Sequence, residues 1–547
     1  MIGEYPMVAS GLSVPDVRLN IMKQRALFKK PTGEPEEPID AYTRVAIHVA
    51  RGHEAYNNTN ALSSTQFRDK TLQMLAEGKF MPNTPTIVNA GYPRAQCSAC
   101  FVLPIEDDLK SIYRAHYNQG LIQASGGGTG FYLGKVRSKG TMTSSSRFVT
   151  KGPINWLKML NEDATHVVQG QREGANMAIL DIGHPDIVDF INCKSSGYDL
   201  TIESIKKLFG VDDVEAKRIK SVVGIEKFNI SVSVPDRFMK ALKHGDEWYF
   251  VDPHSKERRG SMPAIELWQL IVNSAYKHGE PGLFFEDVVN QHNTLPTIGR
   301  IQATNPCGEQ PLLPYESCTL GHVNLSQFVT GMNGSSAIDF DGLEDVIRFG
   351  VQFLDNIVEV NEFPIPELAE MNRNTRRIGL GVMGWADMLA KMHVPYDSDQ
   401  AIEKANEVGS FFNRISGEES QKLGQDRGNF PFFDRSIYNG TCKYMRSSDR
   451  TTVAPTGQTS VYAGCSGGIE PIFSPVTVRN QADMIQVDYD KLVFTVLAER
   501  GLDTPDIRER IGKIGSIRKA EFLPDDIRAI FPSANEIHHK WHIAHQA

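Results

Sequence analysis

Asn305, Cys307 and Glu309 alternate in "ATNPCGEQPLLPYESC", residues 303–318, and a second cysteine, Cys318, closes the stretch. In an extended segment, alternate side chains point to one face, which would gather a carboxamide, a thiol and a carboxylate. A carboxylate beside a thiol raises the thiol pKa, so this is a poor way to make a thiolate nucleophile. It suits a neutral sulfur acting by one-electron chemistry, with the glutamate as base for another group. Cys97 and Cys100 in "QCSACFVLP" form a second pair, so a four-thiol zinc site is one reading. Zinc knuckles keep both pairs at close spacing, however, and ten residues separate Cys307 from Cys318. Buried cysteines packing as small hydrophobes are the ordinary alternative.

The elements that must hold these residues are legible in outline. "DAYTRVAIHVARG" starts at an acidic cap and "SSTQFRDKTLQMLAEGKF" runs from a serine cap to Gly78, so two helices are expected after an irregular N-terminal arm. "NTPTIVNAG" breaks the helical period with proline and β-branched residues. "ACFVLP", "FNISVSV" and "GLFFED" read as strands. Ala264, Leu267, Trp268, Ile271 and Ala275 fall at helical spacing, as do Leu343, Ile347, Val351, Leu354 and Val358. The alternation predicts an α/β fold, with a barrel as the expected form. Residues 201–226 read as a small helical insertion. No internal repeat is evident.

Composition bounds the function. With 547 residues, 40% hydrophobic and 23% charged, the chain can bury a sizeable core. A net charge of -8 argues against holding nucleic acid by bulk charge. No apolar run approaches a membrane span, and Glu4 interrupts the N-terminus where a secretory signal would need an apolar core. Seven scattered cysteines without an export signal point to a reduced, cytoplasmic setting.

"NPCGEQPLLPYESC" resembles the active-site finger loop and following redox cysteine of ribonucleotide reductase catalytic subunits. "MPNTPTIVNAG" with "SACFVLP", "SGGGTGF", "GQREGANMAILDIGHPDIVDFI", "RRIGLGVMGWADML" and "APTGQTSVYAGCSGGIEPIF" are similar to other segments of that family, in family order, over about residues 20–547. The wording is most similar to the adenosylcobalamin-dependent, class II type. The resemblance implies a ten-stranded α/β barrel over residues 81–547, preceded by a small N-terminal helical region over residues 1–80 without the family's ATP-binding domain. It implies Cys307 as the thiyl radical that removes the ribose 3′-hydrogen, Glu309 as base on the 3′-hydroxyl and Asn305 as a hydrogen-bonding support for the sugar. Cys100 and Cys318 would supply two electrons and end as a disulfide, leaving Cys97 a bystander. The cofactor implied is adenosylcobalamin. The alternatives are a class I large subunit with a separate radical-generating partner, and a nucleotide- or zinc-binding relative without catalysis.

By itself "SGGGTGF" is as often a flexible turn as a phosphate cradle. "APTGQTS" is stronger, because small hydroxyl residues around a glycine before a helix expose backbone N–H groups to an anion. The resemblance gives Pro455, Thr456, Gly457, Gln458, Thr459 and Ser460 to the substrate's phosphates, and Thr84 and Ala99 to further substrate contacts. It gives Asp107 to the sugar and Arg137 to the phosphates of a deoxynucleoside triphosphate effector, where bare sequence favours solvated charges. Gln169, Gly170, Arg172, Gly174 and Ala175 correspond to the mobile loop linking effector to substrate. A homodimer and a thioredoxin-like reductant are the expected partners. The chain stops in "HHKWHIAHQA", where relatives continue, so a second polypeptide supplying the remaining barrel and a CxxC tail is expected. His538, His542 and His545 on one face there read as a solvated helix end rather than a metal site.

Overall fold

A computed structural model describes residues 36–547 apart from 57–61, 144–148, 170, 171, 195–201, 217, 218, 220–223, 332–335, 482 and 483. It also describes Leu19, Met22, Lys23, Leu27 and Glu34, and gives the backbone alone at 168, 169, 172, 173, 478–481 and 484–488. The N-terminal part is helical. Helix α1 (Pro38–Glu54) opens at a capping box between Glu37 and Asp40, and α2 (Ser64–Ala76) at one between Ser63 and Gln66. Strand β1 (Phe80–Pro82) then leads into α3 (Thr84–Asn89). This short helix overturns the sequence expectation of a helical break. The Asn83 carboxamide oxygen accepts the Thr86 N–H at 3.0 Å, and Pro85 sits in the first turn, where its missing N–H costs nothing.

Five parallel strands follow: β2 (Cys100–Leu103), β3 (Gly128–Tyr132), β4 (Asn176–Asp181), β5 (Phe228–Ser233) and, after the hairpin of β6 (Glu247–Val251) and β7 (Arg258–Pro263), β8 (Gly282–Phe284). A finger hairpin, β9 (Ala303–Thr304) and β10 (Pro311–Leu312), comes next. Strands β11 (Ser317–Cys318) and β12 (Leu320–Asn324) are nearly continuous, and β13 (Gly379–Met383) completes the set. The six-stranded sheet has the order β8-β5-β4-β3-β2-β11, and the second sheet the order β1-β12-β13, to which Thr451 adds a parallel bridge at Leu380. The run through Thr319 thus belongs to both sheets. Among the described residues these ladders do not close into a ring, and ten strands are not seen.

Side-chain alternation sorts the cores. Phe101 and Leu103 of β2 and Ala178 and Leu180 of β4 face a helix-covered outer core. Val102, Met177 and Ile179 face an inner core shared with Leu312 of the finger hairpin, Cys318 and Leu320. A parallel sheet covered on both faces is the rule for α/β folds, but the inner cover here is a hairpin. A third core joins α1 and α2 to α7 (Phe340–Val360) and the long helix α8 (Asp399–Arg427); α4 (Leu109–Ala124), α5 (Pro153–His166) and α6 (Ile202–Phe209) precede these in the chain. Of the expected insertion 201–226, residues 201, 217, 218 and 220–223 lie outside the described residues. No helix among the described residues is long and apolar enough to cross a membrane.

At the last helix, α10 (His539–Gln546), the expected solvated end holds for the exposed His538 but not for His545. His545 is buried: its Nε2 bonds the Tyr396 carbonyl at 2.9 Å and its Nδ1 accepts the Trp385 indole N–H at 3.2 Å. Burial holds its pKa below the ordinary histidine value.

Candidate active site

The hairpin tip is a turn rather than an extended strand. The Asn305 N–H bonds the Gln310 carbonyl at 3.1 Å, the Gln310 N–H bonds the Asn305 side-chain oxygen at 2.9 Å, and the Gly308 N–H bonds the Asn305 carbonyl at 3.1 Å. Gly308 takes a φ of 87°, a conformation that favours glycine, so Cys307 is carried out on an exposed tip. Asn305 is fully buried beneath it. Burial pushes the Glu309 carboxyl above the ordinary glutamate range, with the Asn305 side chain opposing. Asn305 Nδ2 and Glu309 Oε2 are buried without hydrogen-bond partners.

The glycine-rich stretch is what lets the tip reach this place. Within "SGGGTGF", Ser125 and Gly126 make a turn and the rest leads into β3 (Gly128–Tyr132), an inner strand. A Cβ on Gly128 would lie 2.8 Å from the Pro306 ring, and one on Gly130 would collide with the Thr304 carbonyl. Asn229 of β5 ties the hairpin down by donating to the Pro306 carbonyl at 2.9 Å, and the Thr452 hydroxyl donates to the Glu309 carbonyl at 3.4 Å. Sequence reasoning missed both anchors; the polar Asn229 inside the apolar run "FNISVSV" was the available signal.

Cys100 and Cys318 are cross-strand partners in the antiparallel pairing of β2 with β11. Residues directly opposite in such a pair lie about 4.5–5.5 Å apart at Cα, inside the span a disulfide bridges. Burial pushes the Cys318 thiol well above its ordinary value, the Cys100 sulfur adds to this, and Glu309 and Cys307 act in the same direction. Cys318 therefore stays a protonated thiol within the electrostatic reach of the hairpin tip. The Ala99 N–H donates to the Cys318 carbonyl at 3.0 Å, so Ala99 holds this pairing through its backbone. On the opposite face, the Ser317 hydroxyl meets Ser98 at 3.1 Å, and Glu316, next along the strand, forms a buried ion pair with Arg377 at 3.0 Å. Cys97 lies apart in the helical core, its Sγ 3.5 Å from the Ala95 carbonyl and its pKa pushed up to about 12 by burial. The four thiols therefore do not converge, and no three described His, Cys, Asp or Glu side chains are grouped to hold a metal.

The predicted phosphate loop runs into α9 (Thr459–Ala463). Thr456 adopts a φ of 50°, its hydroxyl accepts the Gly468 N–H at 2.7 Å, and the Thr459 hydroxyl donates to the Thr456 carbonyl at 3.3 Å. Ser460 donates its N–H to the Thr456 carbonyl at 2.9 Å, while Pro455 and Gly457 are exposed and a Cβ on Gly457 would meet open space. The Thr84 hydroxyl donates to the Gln458 side chain at 3.0 Å, which joins the two stretches assigned to substrate.

Asp107 and Arg137 are not solvated charges. They pair at 2.8 Å, Asp107 also accepts the Arg137 backbone N–H at 3.1 Å, and His254 lies 3.3 Å from the same carboxylate. Gln169 and Arg172 are backbone partners in a short hairpin; Gly170 lies outside the described residues. Gly174 abuts Gln123, and the Ala175 carbonyl accepts the Thr129 N–H at 3.0 Å, so this segment docks on the start of β3.

Comparison with known proteins agrees with this arrangement. Residues 98–447 and 440–547 match the ribonucleotide reductase barrel domain, and residues 17–95 the ribonucleotide reductase all-alpha domain. The chain is 37% identical over 493 residues to the vitamin B12-dependent ribonucleoside-diphosphate reductase of Thermoplasma acidophilum, covering 89% of this chain and 60% of that protein. It is 35% identical over 531 residues to the enzyme of the same name from Mycobacterium tuberculosis, covering 97% of this chain and 72% of that protein. A solved structure, the Actinobacillus ureae class Id ribonucleotide reductase alpha subunit, superposes with a TM-score of 0.73 over 97% of this chain and 89% of that one, at 22% identity. That likeness concerns the fold alone. With a paired-cysteine site beneath a finger hairpin and matches over nearly its whole length, the chain belongs to the ribonucleotide reductase large-subunit family.

Proposed function

We propose that this chain reduces ribonucleoside diphosphates to 2′-deoxyribonucleoside diphosphates by thiyl-radical chemistry. The observation that carries the reading is the cross-strand pair Cys100–Cys318 beneath a hairpin tip bearing Cys307 and Glu309. The architecture proposed is a ten-stranded barrel over residues 81–547 after a small N-terminal helical region; the two sheets and helices α1 and α2 support that reading. The diphosphate level and adenosylcobalamin follow the names of the Thermoplasma and Mycobacterium relatives. The exposed Cys307 and the open space beside Gly308 leave room for a bulky group at the sulfur. Cys307, exposed at the tip, would lie against bound adenosylcobalamin, whose radical chemistry would take the hydrogen atom from its thiol.

The chain's own residues would do the rest. Cys307 takes the 3′-hydrogen, a nearly balanced exchange between an S–H and a C–H bond. Glu309 accepts the 3′-hydroxyl proton, which its raised pKa favours, and Asn305 holds the sugar. The 2′-hydroxyl leaves as water with a proton from the thiol pair. Cys100 and Cys318 give up two hydrogens in all and form a disulfide, C2′ gains a hydrogen in place of its hydroxyl, Glu309 returns its proton to the 3′-oxygen, and Cys307 returns the 3′-hydrogen. The residues from Pro455 to Ser460 take the phosphates. Asp107, Arg137 and the segment through Gly174 and Ala175 serve a deoxynucleoside triphosphate effector, whose binding would open the Asp107–Arg137 pair. Leu109, Tyr113 and Tyr117, spaced four apart on α4 and 60%, 56% and 67% exposed, form an apolar face suited to a homodimer. A thioredoxin-like reductant and a cytoplasmic setting complete the reading.

The test is deoxyribonucleotide formation by the purified chain with adenosylcobalamin, a ribonucleoside diphosphate, an effector and a dithiol. Turnover abolished by Cys307→Ser is the expected result. Turnover only after adding a separate radical-generating subunit would replace the cobalamin assignment with a class I one. Turnover retained in Cys307→Ser would overturn the radical assignment itself.

A further inference from the structure

His322 is a buried polar side chain that the mechanism leaves unused. It lies on β12, 3% exposed, and neither ring nitrogen is within hydrogen-bond geometry of a described group, although the Met81 backbone lies near enough to favour the charged ring. A buried imidazole without partners is costly, and an arrangement that leaves both nitrogens unmet points to a partner that arrives from outside the chain.

The strand's alternation says where that partner would come from. Ser317 and Thr319 turn outward, each hydroxyl meeting Ser98, at 3.1 Å and 3.3 Å. Cys318 and Leu320 turn inward, into the core shared with the finger hairpin. His322 continues that inward row, four residues or roughly 13 Å beyond Cys318. It pairs with Met81 on one side and Gly381 on the other. A Cβ on Gly381 would lie 3.0 Å from His322 Cδ2 and 2.8 Å from the Thr452 carbonyl, so the imidazole leans across the glycine towards Thr452. A Cβ on Gly379, one step back on the same face, would lie 2.9 Å from Gln310 Nε2 of the hairpin and 3.1 Å from Thr452 Cγ2. Thr452 is the last anchor of the hairpin before the chain enters the loop Pro455–Ser460. His322 therefore stands on the hairpin's side of the sheet, past the sulfurs and level with the strand that feeds the phosphate loop. Asn83, whose Nδ2 is buried and likewise without a partner, lies close by, its backbone N–H bonding the Leu320 carbonyl at 2.9 Å.

We infer that His322 is a substrate-binding residue whose ring N–H donates to a phosphate oxygen of the ribonucleoside diphosphate. The inference rests on the reading under Proposed function, which places the ribose at Cys307 and Glu309 and the phosphates at the loop after Thr452. Burial holds the free ring neutral, lowering its pKa to about 4, with the Met81 backbone opposing. The ring therefore has one N–H to donate before any phosphate enters.

The test measures equilibrium binding of a ribonucleoside diphosphate and of the parent nucleoside to wild type, His322→Leu and His322→Gln, with thermal unfolding of each. A hydrogen bond to a charged oxygen predicts about ten- to a hundred-fold weaker diphosphate binding in His322→Leu, with nucleoside binding unchanged. His322→Gln, which keeps an N–H donor, should recover part of that loss. His322→Leu should also unfold at an equal or higher temperature, because it removes two unmet polar atoms from the interior. Unchanged diphosphate binding, or a loss shared equally by the nucleoside, would overturn the inference while leaving the reductase reading intact. Failure of the wild type to bind any ribonucleoside diphosphate would overturn both. A drop in unfolding temperature in both variants with diphosphate affinity preserved would make His322 a packing residue.

Discussion

At the scale of the residue, the proposed chemistry turns on two groups whose pKa values burial raises. Cys318 stays a thiol, able to give hydrogen, because burial and its neighbours disfavour the thiolate. Glu309 is raised towards the pH at which a base works best. As a base it must be ionised, so reduction should fall as pH drops through a value above the ordinary ~4.3 of glutamate. Glu309→Gln should lose about 10²–10⁴ in kcat and, with it, that acid limb. A kcat–pH profile of both proteins checks this. Residue types were legible at this scale: Asn305, Cys307 and Glu309 stand in one short stretch. Their geometry was not, since the turn closed by Gly308 replaces the extended alternation that spacing alone implies.

At the scale of the element, β3 shows how a backbone can be shaped by what crosses it. Its glycines carry no side chain because the finger hairpin runs over them. In Gly130→Ala the new Cβ would meet the Thr304 carbonyl, a backbone atom that no rotamer change can move aside. The variant should lose about 1–3 kcal/mol, read in a urea titration, and lose reduction through displacement of the hairpin. The sequence shows the glycines but not the partner, which lies more than a hundred residues downstream. Strand existence was easier: "ACFVLP", "FNISVSV" and "GLFFED" became β2, β5 and β8 because β-branched and aromatic runs are local signals. The helix at Thr84–Asn89 was hidden by its proline, whose place in the first turn only the Asn83 cap makes clear.

At the scale of the whole molecule, one buried carboxylate joins four parts of the chain. Asp355 on α7 bonds Arg376 at 2.6 Å, Arg427 of α8 at 2.7 Å and Arg446 at 3.0 Å, and Arg446 reaches Tyr56 beyond α1 at 2.7 Å. Asp355→Ala leaves three guanidinium groups buried with too little negative charge, and should cost about 3–5 kcal/mol, seen as a lower thermal midpoint. Such a network joins residues no local pattern connects. The same distinction runs through the proposed site. The sequence by itself determined the residue types of the proposed site, the order of the motifs and the α/β class, because these are properties of short stretches. Only the tertiary structure decided that Cys100 faces Cys318 while Cys97 does not, that Asp107 pairs with Arg137, and that His322 is left without a partner. Each of these depends on strand pairing and burial between segments far apart in the chain, where the energy of a contact is set by neighbours that sequence proximity does not specify.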